Sequence, residues 1–385
     1  SILTPGNFFE KGGFKPNNGK ERYYTGTYPK EYLCHKGDLI VAMTQQAEGL
    51  LGSTALVPEN NKYLHNQRIG LITCDEKRLN KLFAYYLFMT KSVREQLERS
   101  SSGTKVKHTS PEKIYDVEVE IPDVISQQKI ANLLWSIDEK IANNNAINDN
   151  LEQQAKLLYN YWFIQFNFPD ENGNPYHSSG GQLVWNKNLQ QEIPQDWRSG
   201  NLYDIADYIN GIACQKYRPS DEEHSLPVVK IREMNGGITN DTERVSSTIP
   251  AKNIISSGDI LFSWSASLEV IMWYGVDAGL NQHIFKVVPK SYFSSEYVYL
   301  QLSEYLIHFI KIAEARKTTM GHITSEHLQD SHIILPPANI IKNFSEYVRP
   351  IYQMKKQIAN ETSELIKLRD WLIPMLMNGQ ATISD

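Results

Sequence analysis

The sequence predicts an α+β chain made by duplication. Two globular α/β domains are separated by two long helices that pair antiparallel as a coiled coil, with pseudo-twofold symmetry between the halves. Three observations predict this: a 39-residue stretch, 125–163, with neither Pro nor Gly; a second long helical stretch closing the chain; and a set of motifs that precedes each of them in the same order.

The stretch 125–163 carries a heptad seam of Ile130, Leu134, Ile137, Ile141, Asn144, Asn148, Leu151, Ala155, Leu158 and Trp162. Apolar residues occupy both ends and two Asn the middle, which weakens the seam but fixes its register. As uninterrupted helix it is roughly 58 Å long at about 1.5 Å per residue, a spacer rather than part of one core. The second helix is expected from about Asn339 to Leu376. Its seam reads Ile351, Met354, Ile358, Glu361, Leu365, Leu368 and Leu372. Pro350 is expected to kink or delay its start, because proline removes a helical bond.

The repeat is explicit. The strand-like KGDLIVAMT (36–44), set off by a Gly-Asp turn, matches SGDILFSWS (257–265). HNQRIGLI (65–72) matches LNQHIFKV (280–287). VKHTSPEKIYDVEVEIP (106–122) matches MGHITSEHLQDSHIILP (320–336), pairing His108 with His322 and Pro122 with Pro336. A period of about 215 residues is a duplicated domain rather than a solenoid. Within the first copy, residues 78–98 have helical periodicity, 100–110 form a polar loop, and YDVEVEIP (115–122) alternates like a strand.

The domains are accordingly 1–122, a central helix 123–166, a Pro/Gly/Asn-rich linker 167–192, a second domain 193–336 and a C-terminal helix 337–385. The first copy opens at the counterpart of residues 226–239. Some 30–35 residues corresponding to those from Ile193 onward are therefore expected to be absent from its start.

Composition excludes several classes. No apolar run approaches the ~18–20 residues of a membrane span. Three well-separated cysteines, Cys34, Cys74 and Cys214, lack ligand spacing and suit a reducing cytoplasm, with no metal site. The net charge of −5 gives no general pull toward nucleic acid. It is uneven: residues 1–121 hold 17 Lys/Arg against 14 Asp/Glu, and residues 194–335 hold 12 against 17. DNA binding would need focused basic residues or a partner's charge. No phosphate-cradling Gly loop, methyltransferase motif, HExxH pairing or nuclease-like acidic cluster is present. The pattern points to a binding protein, not an enzyme.

The candidate contacts lie in loops at repeated positions. In SGTKVKH (102–108) and ARKTTMGH (315–322), basic and hydroxyl side chains precede a His. Lys105, Lys107, His108, Arg316, Lys317, Thr318 and His322 can therefore donate to phosphates or base edges. For the two His residues, a structural hydrogen bond at the loop base is the competing reading. In CQKYRPS, Gln215, Lys216 and Arg218 flank a Tyr; Arg suits guanine and Gln suits adenine. Lys230 and Arg232, in the strand-like VVKIRE, and Gln45 and Gln46, after the first Gly-Asp strand, complete the set. Trp264 and Trp273 read as packing, and the Asn-Gln pairs 66–67 and 281–282 as turn formers first and contacts second.

The duplicated layout resembles the DNA-specificity subunit of type I restriction-modification systems. So do the Gly-Asp strands, the segment NQHIF, the lead-in IPDVISQQKIANLLWSIDEKI (121–141) and the closing LIPMLMNGQATI (372–383). The resemblance covers essentially the whole chain. It implies that each globular domain is a target-recognition domain reading one half of a bipartite site in double-stranded DNA. The helices then set the spacer and dock the methyltransferase subunits, with Ile137, Ile141, Leu151, Leu158, Ile358, Leu365 and Leu372 as partner-binding positions. It also implies restriction/translocase subunits as further partners. S-adenosylmethionine, ATP and Mg are expected in those partners, with no cofactor in this chain. Two other readings stay open: a recognition region of another restriction-modification class, and a scaffold that binds proteins across a helical spacer.

Overall fold

A computed structural model of the protein describes residues 1–383 apart from 18, 20, 46–48, 104–105, 221–223, 266 and 316–322; residues 312–315 are described as backbone only. The chain divides into two units, Ser1–Ala142 with Ser363–Asp385, and Asn143–Thr362. No described helix is long and apolar enough to cross a membrane.

The first unit is built on an antiparallel sheet in the order Thr54–Leu56, Leu39–Ala42, Ile69–Ile72. The turn into Leu39–Ala42 needs glycine: Gly37 lies at φ +83°, and Asp38 accepts the His35 N–H at 2.7 Å. Residues 78–98, expected as one helical run, form two helices, Lys81–Leu87 and Lys91–Ser100. The break falls at Thr90, which adopts an extended conformation and donates its hydroxyl to the Leu87 carbonyl at 2.7 Å. Residues 115–122, expected as a strand, form none: Tyr115 ends the helix Pro111–Tyr115, and 117–122 join no ladder among the described residues, because alternation supplies the tendency while a strand also needs a partner.

The second unit holds two four-stranded sheets. One runs Ile254–Ile255, Ala278–Leu280, Ser225–Val229, Arg244–Ser246, and the other Glu269–Met272, Ile260–Ser263, Ile284–Pro289, Ala206–Asn210. The Gly-Asp turn recurs, with Gly258 at φ +109° and Asp259 accepting the Ser256 N–H at 2.7 Å. Here the counterpart of Val117–Pro122 does form a strand: Ile333–Leu335 pairs antiparallel with Arg198–Gly200. The stretch 167–192 contains most of a β-hairpin, Leu183–Asn186 with Gln191–Pro194.

The long helices span Val124–Tyr159, continued by a π turn at Asn160–Ile164, and Ala338–Met377. The second neither stops nor starts late at Pro350; the proline forgoes one bond while buried Phe344, Val348 and Tyr352 anchor the turns around it. Within each unit the two helices run antiparallel. In the first, Ile130, Ala131 and Leu134 share a core with Ile373, Leu376 and Met377, and Asp138 bonds Arg369. In the second, Asn144 donates to Glu361 at 2.9 Å, Glu152 pairs with Lys355, and the Phe344 ring lies 4.8 Å from Phe163 and 5.5 Å from Trp162.

The seam of the C-terminal helix differs from its expected phase. Met354 and Leu368 are 49% and 44% exposed, whereas Tyr352, Lys355 and Arg369 face the central helix. The reason is charge: carboxylates on the central helix neutralise cations that an apolar heptad would exclude.

Candidate nucleic-acid interface

Three loops meet at one end of the first unit's sheet. Arg68 accepts the Met43 N–H through its carbonyl at 2.9 Å, Met43 accepts the Thr109 N–H at 2.9 Å, and Lys107 accepts the Gln45 N–H at 2.9 Å. Ser102 and His108 exchange backbone bonds of 3.0 and 2.8 Å, which closes the loop 102–108.

The second unit repeats this frame. Trp264 donates its N–H to the His283 carbonyl at 3.3 Å, and Ile323 donates to the Trp264 carbonyl at 3.0 Å. These are the counterparts of the bonds among Met43, Arg68 and Thr109. The Asn residues of both repeated pairs are turn formers: Asn66 accepts the Arg68 N–H at 2.9 Å and Asn281 the His283 N–H at 3.3 Å. Each turn leaves the next glutamine, Gln67 or Gln282, beside a basic residue at the loop cluster.

The candidate side chains fall into three groups. Gln215, Lys216 and Arg218 are exposed, around the short 3-10 turn Cys214–Lys216, and make no side-chain bond among the described residues. They are free to meet a ligand. Gln45 joins the first cluster through its backbone.

A second group is already engaged. Lys107 is paired with Glu98. His108 Nδ1 lies 3.1 Å from the Thr44 hydroxyl, the structural bond at the loop base. Lys230 and Arg232 do not sit in a strand: the strand ends at Val229, Lys230 caps the helix Ile231–Gly236, and its Nζ lies 2.5 Å from Glu243. Arg232 bonds the buried Glu233 at 2.8 and 2.7 Å. Sequence spacing could not reveal these carboxylate partners, one of which is thirteen residues away. The third group, Gln46, Lys105, Arg316, Lys317, Thr318 and His322, lies outside the described residues.

The loop cluster brings forward Arg68 and His283, which sequence reasoning passed over, beside Gln67, which it ranked as a contact only second. Gln67 and Arg68 are exposed, and Arg68 has no side-chain partner among the described residues. Trp264, expected as packing, does pack half-buried against the core of the second unit, and its indole also donates to Asn210 at 3.2 Å with its ring 5.6 Å from His283. The signal was available in the repeat, since both basic residues directly follow an Asn-Gln pair.

The proposed partner-binding positions on the helices are mostly interior. Ile137, Ile141 and Leu151 are buried in the helical seam, and Leu158, Ile358, Leu365 and Leu372 are half-buried. Heptad positions find the seam between two helices. Exposed apolar side chains of the helices include Ile147, Leu157, Tyr347 and Met354 in the second unit and Ile125, Leu368 and Trp371 in the first.

The thiols are quiet. Cys34 and Cys214 are buried, and burial, assisted by Asp38 and Glu243 respectively, pushes each pKa up to about 11.

Comparison with known proteins gives this arrangement a family. The specificity subunit of the type I restriction enzyme MjaIX from Methanocaldococcus jannaschii is 25% identical over 317 residues, spanning 79% of this chain and 69% of that protein. The HindI specificity subunit of Haemophilus influenzae is 22% identical over 360 residues, 77% of each chain. The crystal structure of a type I restriction-modification S subunit from M. genitalium shares the fold, with a TM-score of 0.52 at 16% identity over 92% of this chain and 85% of that one. The family model for the type I restriction modification DNA specificity domain matches twice, at residues 8–153 and 194–368, taking in each loop cluster and the central helix's first three-quarters. The chain therefore belongs to the type I restriction-modification DNA-specificity family.

Proposed function

We propose that the two units each read one half of a bipartite site in double-stranded DNA, on behalf of a type I restriction-modification complex. The observation that carries this reading is the repeated loop cluster: the same backbone bonds hold 43, 68 and 109 in one unit and 264, 283 and 323 in the other, while the side chains they present differ. Two equal frames with unequal side chains suit two unequal half-sites.

In this reading recognition belongs to this chain and chemistry to its partners. Methyltransferase subunits supply S-adenosylmethionine-dependent methylation, and restriction/translocase subunits supply ATP- and Mg-dependent cleavage. The sequence supports that division, as it holds neither a phosphate-binding Gly loop nor a methyltransferase motif. The exposed apolar side chains of the helices, Trp371 and Leu368 among them in the first unit and Tyr347 and Leu157 in the second, suit docking of the methyltransferase subunits better than the seam does. The acidic balance of residues 194–335 means that much of the phosphate contact comes from those partners. Three free cysteines fit a reducing cytoplasm.

The experiment is co-expression of the chain with its methyltransferase subunits in a methylation-free host, followed by mapping of modified bases. A single motif in two parts with a fixed gap is expected. A continuous motif would assign the chain to another restriction-modification class. No new methylation from a soluble, assembled complex would leave the protein-binding scaffold as the reading.

A further inference from the structure

The two units repeat some side chains, and most of the repeats are spent on the fold. Asp38 and Asp259 accept backbone N–H groups in the Gly-Asp turns, and Asn66 and Asn281 do so in the turns of the loop clusters. The residues after each Asn are repeated without such a use. Arg68 follows Gln67, and His283 follows Gln282, so both units carry a glutamine and then a basic residue at one equivalent place.

Main-chain bonds fix that place. The carbonyls of Arg68 and His283 accept the N–H groups of Met43 and Trp264 at 2.9 and 3.3 Å, and the residues that follow, Ile69 and Ile284, are fully buried strand starts. Each basic side chain therefore leaves the end of its sheet from an equivalent point. Gln67 and Arg68 are exposed and make no side-chain hydrogen bond or ion pair among the described residues. His283 is exposed as well. Its Nε2 lies 3.3 Å from Gln282 Nε2, and with the amide as donor the ring keeps its own N–H at Nδ1.

The other two nodes of the frame change character between the units, from Met43 to Trp264 and from Thr109 to Ile323. Two domains that read unequal half-sites share one feature of the DNA, the sugar-phosphate backbone, whose contacts position a protein without carrying sequence. A donor pair kept in both domains and left over by the fold matches that shared feature. The exchange of Arg for His points the same way: both offer N–H groups to a phosphate oxygen, whereas only Arg makes the forked contact with guanine. We propose that Gln67 with Arg68, and Gln282 with His283, are phosphate anchors. Each pair holds the backbone of its half-site and sets the position from which the neighbouring loops read bases. The inference rests on the DNA-reading proposal and assigns these residues to positioning within it.

The test uses the complex assembled with its methyltransferase subunits. Arg68→Gln and His283→Gln are each expected to leave the methylated motif unchanged, to weaken binding to specific and unrelated duplexes alike by about tenfold, and to reduce the salt slope by about 1. His283→Arg, which installs the first unit's residue, keeps both motif and slope. Single methylphosphonate replacements, which neutralise one phosphate at a time, locate the contact without any protein variant. In each half-site one such replacement weakens the wild type, and it has no further effect on the variant of the matching unit. A motif that changes at a base pair in His283→Gln or His283→Arg overturns the proposal and makes His283 a base reader. An unchanged salt slope in both Gln variants overturns it too, whatever their melting temperatures. A wild-type complex that prefers no sequence is a separate result, in which the DNA reading itself falls and the anchors with it.

Discussion

Arg369 holds Asp138 at 2.9 Å across the helical seam of the first unit, and the other oxygen of that carboxylate accepts the hydroxyl of the buried Tyr86 at 2.6 Å. Burial, reinforced by the Asp138 charge, drives the Tyr86 pKa far up, so the phenol remains a donor throughout the pH range of the folded chain. One carboxylate thus ties the C-terminal helix, the central helix and the globular part of the unit together. Arg369→Leu removes the cation and leaves a largely buried charge with a phenol alone. We expect a loss of about 3–5 kcal/mol by urea denaturation, and partial recovery in the double variant with Asp138→Leu. Equal losses in single and double variants would show that the pair is not coupled.

The second unit is fastened by an aromatic cluster as well as by the Glu152–Lys355 pair. Phe344 contacts Tyr159, Trp162 and Phe163, with ring centroids 6.3, 5.5 and 4.8 Å away, and is fully buried. Phe344→Ala is expected to cost about 3–5 kcal/mol, and Phe344→Leu less than half of that. Tryptophan fluorescence reads the change directly through Trp162.

Under the proposed function, Arg218 is expected to serve recognition and Arg232 folding. Arg218 is exposed and unbonded among the described residues, so Arg218→Gln leaves the melting temperature unchanged. In the assembled complex it relaxes discrimination at one base pair of one half-site by about 1–3 kcal/mol; uniform weakening with a salt slope reduced by about 1 would mark a phosphate contact instead. Arg232→Gln withdraws the bonds to buried Glu233 and costs about 1–3 kcal/mol of stability before any DNA is added. A thermal melt and a half-site binding series on both variants decide the assignment.

The buried thiols set an alkaline limit. With the folded pKa of Cys34 and Cys214 raised to about 11, their stabilising contribution is complete below the unfolded value near 8.5 and is lost as pH climbs through 11. The urea midpoint should fall between pH 8.5 and 11, less steeply in the Cys34→Ala, Cys214→Ala double variant. In a labelling assay at pH 8, the half-buried Cys74 should react first. Fast labelling of all three thiols in the native chain would contradict the packing described.

What was legible in the sequence was periodic or repeated. The long helices followed from uninterrupted heptads, and the duplication from motif order, because both depend on patterns that one chain displays to itself. What was missed depended on partners distant in sequence. Lys355 and Arg369 belong to the seam only because Glu152 and Asp138 await them on the other helix, so an apolar heptad chose Met354 and Leu368 instead. Lys230 and Arg232 looked available until Glu243 and Glu233 were found beside them. Residues 115–122 had the alternation of a strand but, among the described residues, no neighbouring strand to pair with. Asn66 and Asn281 were read correctly as turn formers, a property local to three residues.

The loop frames are held by main-chain bonds, and main-chain bonds are indifferent to the side chains they carry. Met43 and Trp264 occupy the same node, as do Arg68 and His283, with no change in the bonds around them. Mutation can therefore rewrite what each unit touches while leaving intact the lattice that positions it. Such a division lets single exchanges at the rim alter the contacts without disturbing the main-chain bonds beneath them. The same division recommends these rims, in place of the sheets beneath them, as the positions to randomise when a new target is sought.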